Sequence, residues 1–443
     1  MTSKRSSSAA ALFLAASLLV PCGPASAQRA KEAASGDALT RHLEVMLRAM
    51  KIARDWHVGR PGKPELMAGA ARGMLHKLDP EADLYTRAEL QRIGDTDSVP
   101  QVGLDVRREQ GPSRRSSPGY RVVSSRDGGP AAAIGLKAGD LITRVRGRAA
   151  GDMSYHGLLR LELPGAIGTD VDLTVERGDN TEPERIRLPR GMGIGEAVTV
   201  DEPELGVLRV RIAAIEAPAT SRLTQQIEAA VARSDPPLRG IVLDLRGTAG
   251  GSLAEVASLA DALLDSGLLL REETRLPSGP EPQEARTGDV AQGRPVTVLV
   301  DAGTAGPAEA LAAALRDNQR ARLVGEKTAG RGALRTMRSL GRQGEKGAIR
   351  IITARLSTPG GKPIEGAGVT PDLVISQAPA DATCRSLDVR DPRQGGHCRR
   401  RNPAEDAQLQ RAIATLTDAV AAGTPAAGKD IAGGRQNSTG HRP

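Results

Sequence analysis

The stretch VTVLVDAGTAGPAEALAAALRDNQRARLVGEKTAGRG, residues 296–332, decides the fold class of this chain. It begins with an apolar run of strand-forming residues at 296–300, continues through a turn rich in Gly and Pro, and then contains only Glu, Ala and Leu at 309–315, which favours a helix. A second apolar run at 322–324 leads into another glycine-rich turn. Strand, turn, helix, strand and turn in this order predict a layered α/β domain.

The same alternation extends outward in both directions, over residues 205–375. The pattern of apolar runs and turn residues predicts strands at 205–210 and 240–245 and helices at 220–232 and 253–264. A glycine-rich turn, GTAGG at 247–251, follows the buried strand that ends at 245. We therefore expect a single α/β core in this region, and we place its limits at residues 191–378.

Two short motifs in this core resemble the active-site motifs of the carboxyl-terminal processing proteases, the S41 peptidases. In that family a segment S-A-S-A-S-E provides the nucleophilic serine from its middle position, and a later T-F-G-K-G provides a lysine base. The corresponding segments here are TAGPAE at 304–309 and TAGRG at 328–332. The resemblance implies a crotonase/ClpP-like layered α/β core, with Gly306 at the nucleophile position and Arg331 at the base position.

Neither residue can perform the family's chemistry. Glycine has no side chain with which to form an acyl-enzyme, and arginine stays protonated at physiological pH, so Arg331 cannot act as a base. If the family's geometry holds, Pro307 also removes an oxyanion-hole donor, because proline has no N–H. The sequence therefore predicts a pseudoprotease without catalytic residues.

Other parts of the family's site have counterparts in this chain. The resemblance places Asp317 at the position of a third polar residue, and Gly250 and Gly251 in a loop whose amides help to build the oxyanion hole. The alternative for the glycines is a tight turn that needs their backbone freedom. A relocated dyad of Thr304 and Lys327 would lie two and four residues from the reactive positions, which catalysis does not tolerate.

Residues 98–190 resemble a PDZ domain. The stretch PAAAIGLKAGDLITRV at 130–145 contains a helix of small residues, a Gly-Leu-x-x-Gly-Asp turn and an alternating strand. PDZ domains bind an extended C-terminal peptide by adding it to a sheet edge. The resemblance places the carboxylate-binding loop at Gly103 and Leu104, so we expect peptide binding there.

Residues 28–97 form a predicted N-terminal helical segment, because apolar residues recur at spacings of three and four. Within it, GAARGMLHKLDPEADLY at 69–85 resembles the family's segment G-A-x-x-G-M-L-x-x-L-D-P-H-S-x-Y. This chain has Glu81-Ala82 where the family has histidine and serine, and Leu84 where it has tyrosine. The match supports membership of the family without carrying chemistry.

Residues 1–27 predict a secretory signal peptide. A basic start with Lys4 and Arg5 precedes an apolar run at 9–20 and the cleavage site Ala25-Ser26-Ala27. No later stretch approaches the ~20 consecutive apolar residues of a membrane span, so no transmembrane segment is predicted. We expect export and a periplasmic or extracellular mature protein. The alternative is a lipoprotein, but the proline before Cys22 fits a lipobox poorly.

Residues 379–422 predict a C-terminal extension with a helix at 405–421, followed by a disordered tail at 423–443. Cys384 and Cys398 are a candidate disulfide, since exported proteins favour such bonds. Two free thiols are the alternative. A zinc site would lack a fourth ligand even with His397. No metal and no cofactor are predicted.

The formal net charge of +8 does not indicate a nucleic-acid-binding protein. Arginines are interspersed with acidic residues along the whole chain, and stacking platforms for bases are nearly absent. After signal removal four aromatic side chains remain, Trp56, Tyr85, Tyr120 and Tyr155. We interpret the charge as a solvated basic surface.

These observations predict an exported scaffold or adaptor that binds protein or peptide C-termini, with an active envelope protease as a possible partner. One alternative is an active serine-type endopeptidase that degrades or processes envelope proteins. Another is a structural role in an envelope complex, with a groove that binds no peptide.

Overall fold

The computed structural model describes residues 24–94, 103–109, 118–125, 129–163, 169–177, 182–190, 197–233, 235–276, 282–342, 345–376 and 406–421. Most of the predicted signal peptide, both cysteines of the candidate disulfide and the predicted tail lie outside these residues. The chain forms two compact units, residues 1–71 and 72–443. No helix among the described residues is long and apolar enough for a membrane span.

The N-terminal part contains three helices and one short strand, α1 (Pro24–Trp56), α2 (Lys63–Leu78), β1 (Asp83–Tyr85) and α3 (Arg87–Gly94). The strand is a difference from the helical segment expected at 28–97. Residues 83–85 pair antiparallel with residues 348–350, and Asp83 and Tyr85 are buried. A partner more than 250 positions away determines this local structure, so the helical periodicity of the segment did not show it.

Residues 104–189, which we call the small domain, form an antiparallel sheet with a core of its own. The sheet order is β2-β3-β4-β6-β7, with β5 paired to β4, so β2 is an edge strand. Its elements are β2 (Leu104–Glu109), β3 (Gly119–Ser125), α4 (Pro130–Ala133), β4 (Leu141–Val145), β5 (Arg148–Ala149), β6 (Asp170–Glu176) and β7 (Glu184–Pro189).

The remaining elements build the main core, which has two sheets and four helices among the described residues. They are β8 (Val198–Glu204), β9 (Val207–Ile212), α5 (Ala219–Ala232), β10 (Gly240–Asp244), α6 (Leu253–Asp261), β11 (Leu268–Thr274), β12 (Gln283–Glu284), β13 (Val296–Val300), α7 (Pro307–Asp317), β14 (Ala321–Gly325), β15 (Ala333–Ser339), β16 (Ala348–Ser357), β17 (Leu373–Val374) and α8 (Ala407–Ala421).

The main sheet has the order β17-β14-β13-β10-β9-β8 and is parallel except for β8. A second sheet runs β1-β16-β11-β12, with β15 also paired to β16. Strand β13 shows how the main sheet is covered. Val298 and Val300 face the large cluster that includes residues of α5, α6 and α7, whereas Leu299 faces residues of α8. Both faces are therefore covered, as parallel sheets require, and the predicted α/β class is confirmed.

Candidate functional site

Gly306 lies in the turn between β13 and α7, directly before the first helical residue, Pro307. Its backbone has φ 65° and ψ −122°, a conformation that favours glycine. A Cβ atom built on Gly306 would meet the carbonyl oxygen of Arg331 at 3.6 Å, which is ordinary van der Waals contact. The nucleophile position therefore has room for a side chain but holds none, and Pro307 beside it has no N–H to offer.

Glu309, in the first turn of α7, connects the two halves of the site. Its carboxylate is fully buried and accepts hydrogen bonds from the backbone N–H groups of Gly306 (2.8 Å), Gly330 (2.7 Å) and Arg331 (2.7 Å), and from the Thr328 hydroxyl. Burial raises the pKa of Glu309, and these four donors oppose that rise. One carboxylate thus holds the nucleophile turn and the base loop together.

The turn with Gly250 and Gly251 lies beside the nucleophile turn, since Ala249 and Ala305 form a parallel β-bridge. Gly251 has φ 115°, and a Cβ atom there would lie 2.5 Å from the carbonyl oxygen of Ile215. This position needs glycine because of its backbone angles and because of a close backbone approach. The backbone geometry is therefore enough to explain why glycine stands at position 251.

The Arg331 side chain pairs with two carboxylates, those of Asp105 and Glu81. Its side chain is only 12% exposed, and Nη1 donates to a carboxylate oxygen of Asp105 and to the Val106 carbonyl oxygen at 3.3 Å. Nη2 donates to both carboxylate oxygens of Glu81 at 3.3 Å. Burial lowers the pKa of Arg331, but the two carboxylates outweigh burial and raise it above its ordinary value. The guanidinium stays charged and ion-paired.

Arg335, on β15, extends this set of ion pairs. Its Nε and Nη2 donate to the two carboxylate oxygens of Asp79 at 2.8 and 3.0 Å, and its Nη1 lies 3.3 Å from Glu81. We call Asp79, Glu81, Asp105, Arg331 and Arg335 the acid–arginine cluster. It joins the N-terminal segment, the small domain and the main core.

The other predicted site residues lie elsewhere. Asp317 ends α7, about 16 Å from Gly306 at 1.5 Å per helical residue, and accepts hydrogen bonds from Arg316 Nε and Gly360 N, each at 3.0 Å. It therefore pairs with a neighbouring arginine and not with Arg331. The Thr304 hydroxyl is buried and donates to the Leu245 carbonyl oxygen, whereas Lys327 is exposed, so the described contacts form no relocated dyad.

Gly103 and Leu104, the predicted carboxylate-binding loop, lie at the start of the edge strand β2. Gly103 has φ 69°, and Leu104 is the first strand residue. Asp105 and Val106, which contact Arg331, follow directly. The structure thus brings the predicted peptide-binding loop next to the base position of the core.

The sequence did not identify Glu81 and Asp105 as partners of Arg331, nor Arg335 as a second arginine of the cluster. A signal was present, because Glu81 and Arg331 both depart from the family's pattern and carry opposite charges. In the part of the chain that the structure describes, no group of three or more His, Cys, Asp or Glu side chains is placed to hold a metal ion.

Comparisons with known proteins agree with this geometry. The model of peptidase family S41 matches residues 206–375. A carboxy-terminal-processing protease of Bartonella bacilliformis is 31% identical over 332 residues, which cover 73% of each chain. A probable CtpA-like serine protease of Staphylococcus aureus strain N315 is 25% identical over 73% of this chain and 63% of its own length.

One solved structure extends the likeness to three dimensions. The photosystem II D1 C-terminal processing protease superposes with a TM-score of 0.61 at 28% identity, over 72% of this chain and 83% of that protein. The sequence motifs, the layered core and the relative with 31% identity lead to the same assignment. The chain belongs to the S41 family of carboxy-terminal-processing proteases.

Proposed function

We propose that this protein is an exported, catalytically inactive member of its family that binds protein or peptide C-termini as a scaffold or adaptor. The proposal rests on the residues at the two positions where the family has its nucleophile and its base. Gly306 has no nucleophile, and the Arg331 guanidinium is paired with Asp105 and Glu81. No side chain at position 306 can act as the nucleophile, and the side chain at position 331 cannot accept a proton from one.

The surroundings of Arg331 support inactivity beyond the two substitutions. A lysine at position 331 would face the carboxylates of Asp105 and Glu81, which are placed around a cation. Two nearby negative charges raise the pKa of an amine, whereas a lysine base needs a lowered pKa. Restoring the lysine alone would therefore produce a protonated ammonium group.

The edge position of β2 supports the binding role. PDZ domains add a peptide strand to such an edge and hold the terminal carboxylate with backbone N–H groups of the preceding loop. Gly103 has the positive φ of such a loop, and β2 follows it. The proposed ligand is an extended segment with a free C-terminal carboxylate.

The test of inactivity is cleavage of an unfolded reporter with an apolar C-terminal tail by the proposed mature chain, residues 28–443. We expect no cleavage. We also expect none from the variant Gly306→Ser/Pro307→Ala/Arg331→Lys, because its lysine remains protonated. Adding Glu81→Gln and Asp105→Asn removes the two carboxylates and is the variant in which activity is expected to return. Cleavage by the natural chain would overturn the proposal in favour of an active endopeptidase.

The test of binding is titration with peptides that have a free apolar C-terminus, against the same peptides amidated. We expect binding that requires the free carboxylate. Equal binding of both forms, or of neither, would contradict recognition of C-termini and leave a structural role. Export is tested by N-terminal sequencing of the mature protein, expected to begin at Gln28.

A further inference from the structure

Among the described residues β2 pairs only with β3, and a side chain of the main core contacts the backbone of β2 at its other edge. In the antiparallel pair β2–β3, Val106 lies opposite Val122. The backbone groups of Val122 form their hydrogen bonds on the side of β3 that faces away from β2. Its N–H donates to the Asp140 carbonyl oxygen at 2.7 Å, and its carbonyl oxygen accepts from Gly139 N–H at 2.9 Å. Val106 and Val122 are therefore a non-hydrogen-bonded pair, and the backbone groups of Val106 point to the open edge.

Arg331 occupies this edge. Its Nη1 donates to the outward carbonyl oxygen of Val106 at 3.3 Å and to the carboxylate of the preceding residue, Asp105. An added peptide strand forms its hydrogen bonds with these same outward backbone groups of an edge strand. A guanidinium and a peptide strand cannot both bind the Val106 carbonyl group in this geometry.

The arginine is held firmly in place. The two terminal nitrogens of Arg331 bind the carboxylates of Asp105 and Glu81, whose side chains are 18% and 3% exposed. Pairs with little exposure are weakly screened by salt, and a guanidinium suits several acceptors at once. Displacement of Arg331 therefore requires the loss of two charge-assisted contacts.

We propose that Arg331 is an autoinhibitory latch, which covers the peptide-binding edge of β2 in the resting protein and must leave before a C-terminal peptide binds. This inference rests on the proposed function and adds its regulation. The residue at the former base position thus controls the small domain. The observed affinity for a peptide equals the intrinsic affinity reduced by the fraction of molecules with the edge uncovered.

The experiment measures binding of a fluorescent peptide with a free apolar C-terminus to residues 28–443 by anisotropy. Arg331→Met is expected to tighten binding by about tenfold or more, because it uncovers the edge in every molecule. The matched control is Arg209→Met. Arg209 is also 12% exposed, and it pairs with Asp201 within the main core, away from β2. It should leave the affinity unchanged.

Loss of Arg331 removes the arginine paired with Asp105 and one of the arginines paired with Glu81. A second variant, Arg331→Met/Glu81→Gln, therefore removes one charge of each sign and should show the same gain. Hydrogen exchange without peptide provides an independent measurement. Residues 104–109 should exchange faster in both Arg331 variants than in Arg209→Met.

The outcomes separate the latch from the proposed function. Equal peptide affinity in the natural chain and both Arg331 variants would overturn the latch and leave C-terminal binding intact. Faster exchange at β2 with no peptide binding in any variant would overturn the binding function, and with it the control of binding. Tighter binding limited to the Arg331 variants, together with faster exchange, would support both.

Discussion

At the scale of the residue, Gly306 combines free space with an unusual backbone. Its φ of 65° and ψ of −122° lie where L-residues are rarely found, although a Cβ atom would have no contact closer than 3.6 Å. Backbone strain, and not a steric clash, is therefore the cost of a side chain here. A serine at this position carries that strain whether or not it reacts.

We expect Gly306→Ala to lower the free energy of unfolding by about 1–3 kcal/mol, the usual cost of such a backbone conformation for a non-glycine residue. Urea denaturation measures it. The control is Gly73→Ala in α2, where the added Cβ meets nothing within 4 Å and φ is not positive. Helix propensity predicts that this control is neutral or stabilising. Equal effects of the two variants would contradict the strain argument.

At the scale of the element, α8 covers the second face of the main sheet, and an ion pair at its N-terminus holds it in place. Leu409, Ala412 and Ile413 pack against the sheet. Asp406 accepts a hydrogen bond from Leu409 N–H at 3.0 Å and one from Arg246 at 2.9 Å. The same carboxylate thus caps the helix and anchors it to β10 through an arginine.

We expect Asp406→Ala to lower the free energy of unfolding by about 2 kcal/mol or more, from loss of the cap and of a charged hydrogen bond. Asp406→Asn keeps an acceptor for the cap and should lose about half as much. The exposed Asp418→Asn, on the same helix, should have no measurable effect. Urea denaturation measures each, and equal losses for Asn and Ala would show that the cap contributes nothing.

The same carboxyl also makes stability depend on pH. Burial raises the pKa of Asp406, but the hydrogen bond and charge of Arg246 outweigh it and hold the pKa below its ordinary value. A depressed carboxyl pKa contributes stability above the unfolded value, about 3.9, and that contribution is lost as the pH falls further. Asp406→Asn should therefore lose less stability than the natural chain between about pH 4 and pH 2.

At the scale of the whole molecule, the acid–arginine cluster joins segments far apart in sequence. Arg335 and Asp79 are 256 positions apart, and Arg331 and Asp105 are 226 apart. The pair of Asp79 and Arg335 is bidentate, with side chains 6% and 10% exposed. Removing one partner of such a pair leaves a buried charge, which destabilises more than removing both.

We expect Arg335→Met to lower the free energy of unfolding by about 3–5 kcal/mol, and Asp79→Asn added to it to restore part of that loss. A double-mutant cycle should give a coupling of about 1–3 kcal/mol. The control cycle is Arg187 with Asp172, an exposed pair 3.5 Å apart within the small domain, where no measurable coupling is expected. Additive effects at Asp79 and Arg335 would show that the cluster does not hold the fold together.

The sequence predicted the parts of the fold that depend on local pattern. Strand β13 was predicted with the bounds that the structure has, and α7 and α8 within two residues at each end. Strand β1 was missed because three residues become a strand only through pairing with β16. The contacts of Arg331 were missed for the same reason, since no local pattern shows which acids of another domain will surround a cation. The residue types at positions 306 and 331 could be read from the sequence, but their partners could not.

The hydrogen bonds of Glu309 explain how both reactive positions can change without loss of the site's framework. The carboxylate contacts the main-chain N–H groups of Gly306, Gly330 and Arg331 and none of their side chains. Every residue except proline has such a group, so these hydrogen bonds do not depend on which side chain stands at positions 306 and 331. The hydrogen bonds that align the two loops therefore do not involve the side chains at positions 306 and 331. A designer could install new functional groups at positions 306 and 331 while Glu309 keeps the two loops aligned.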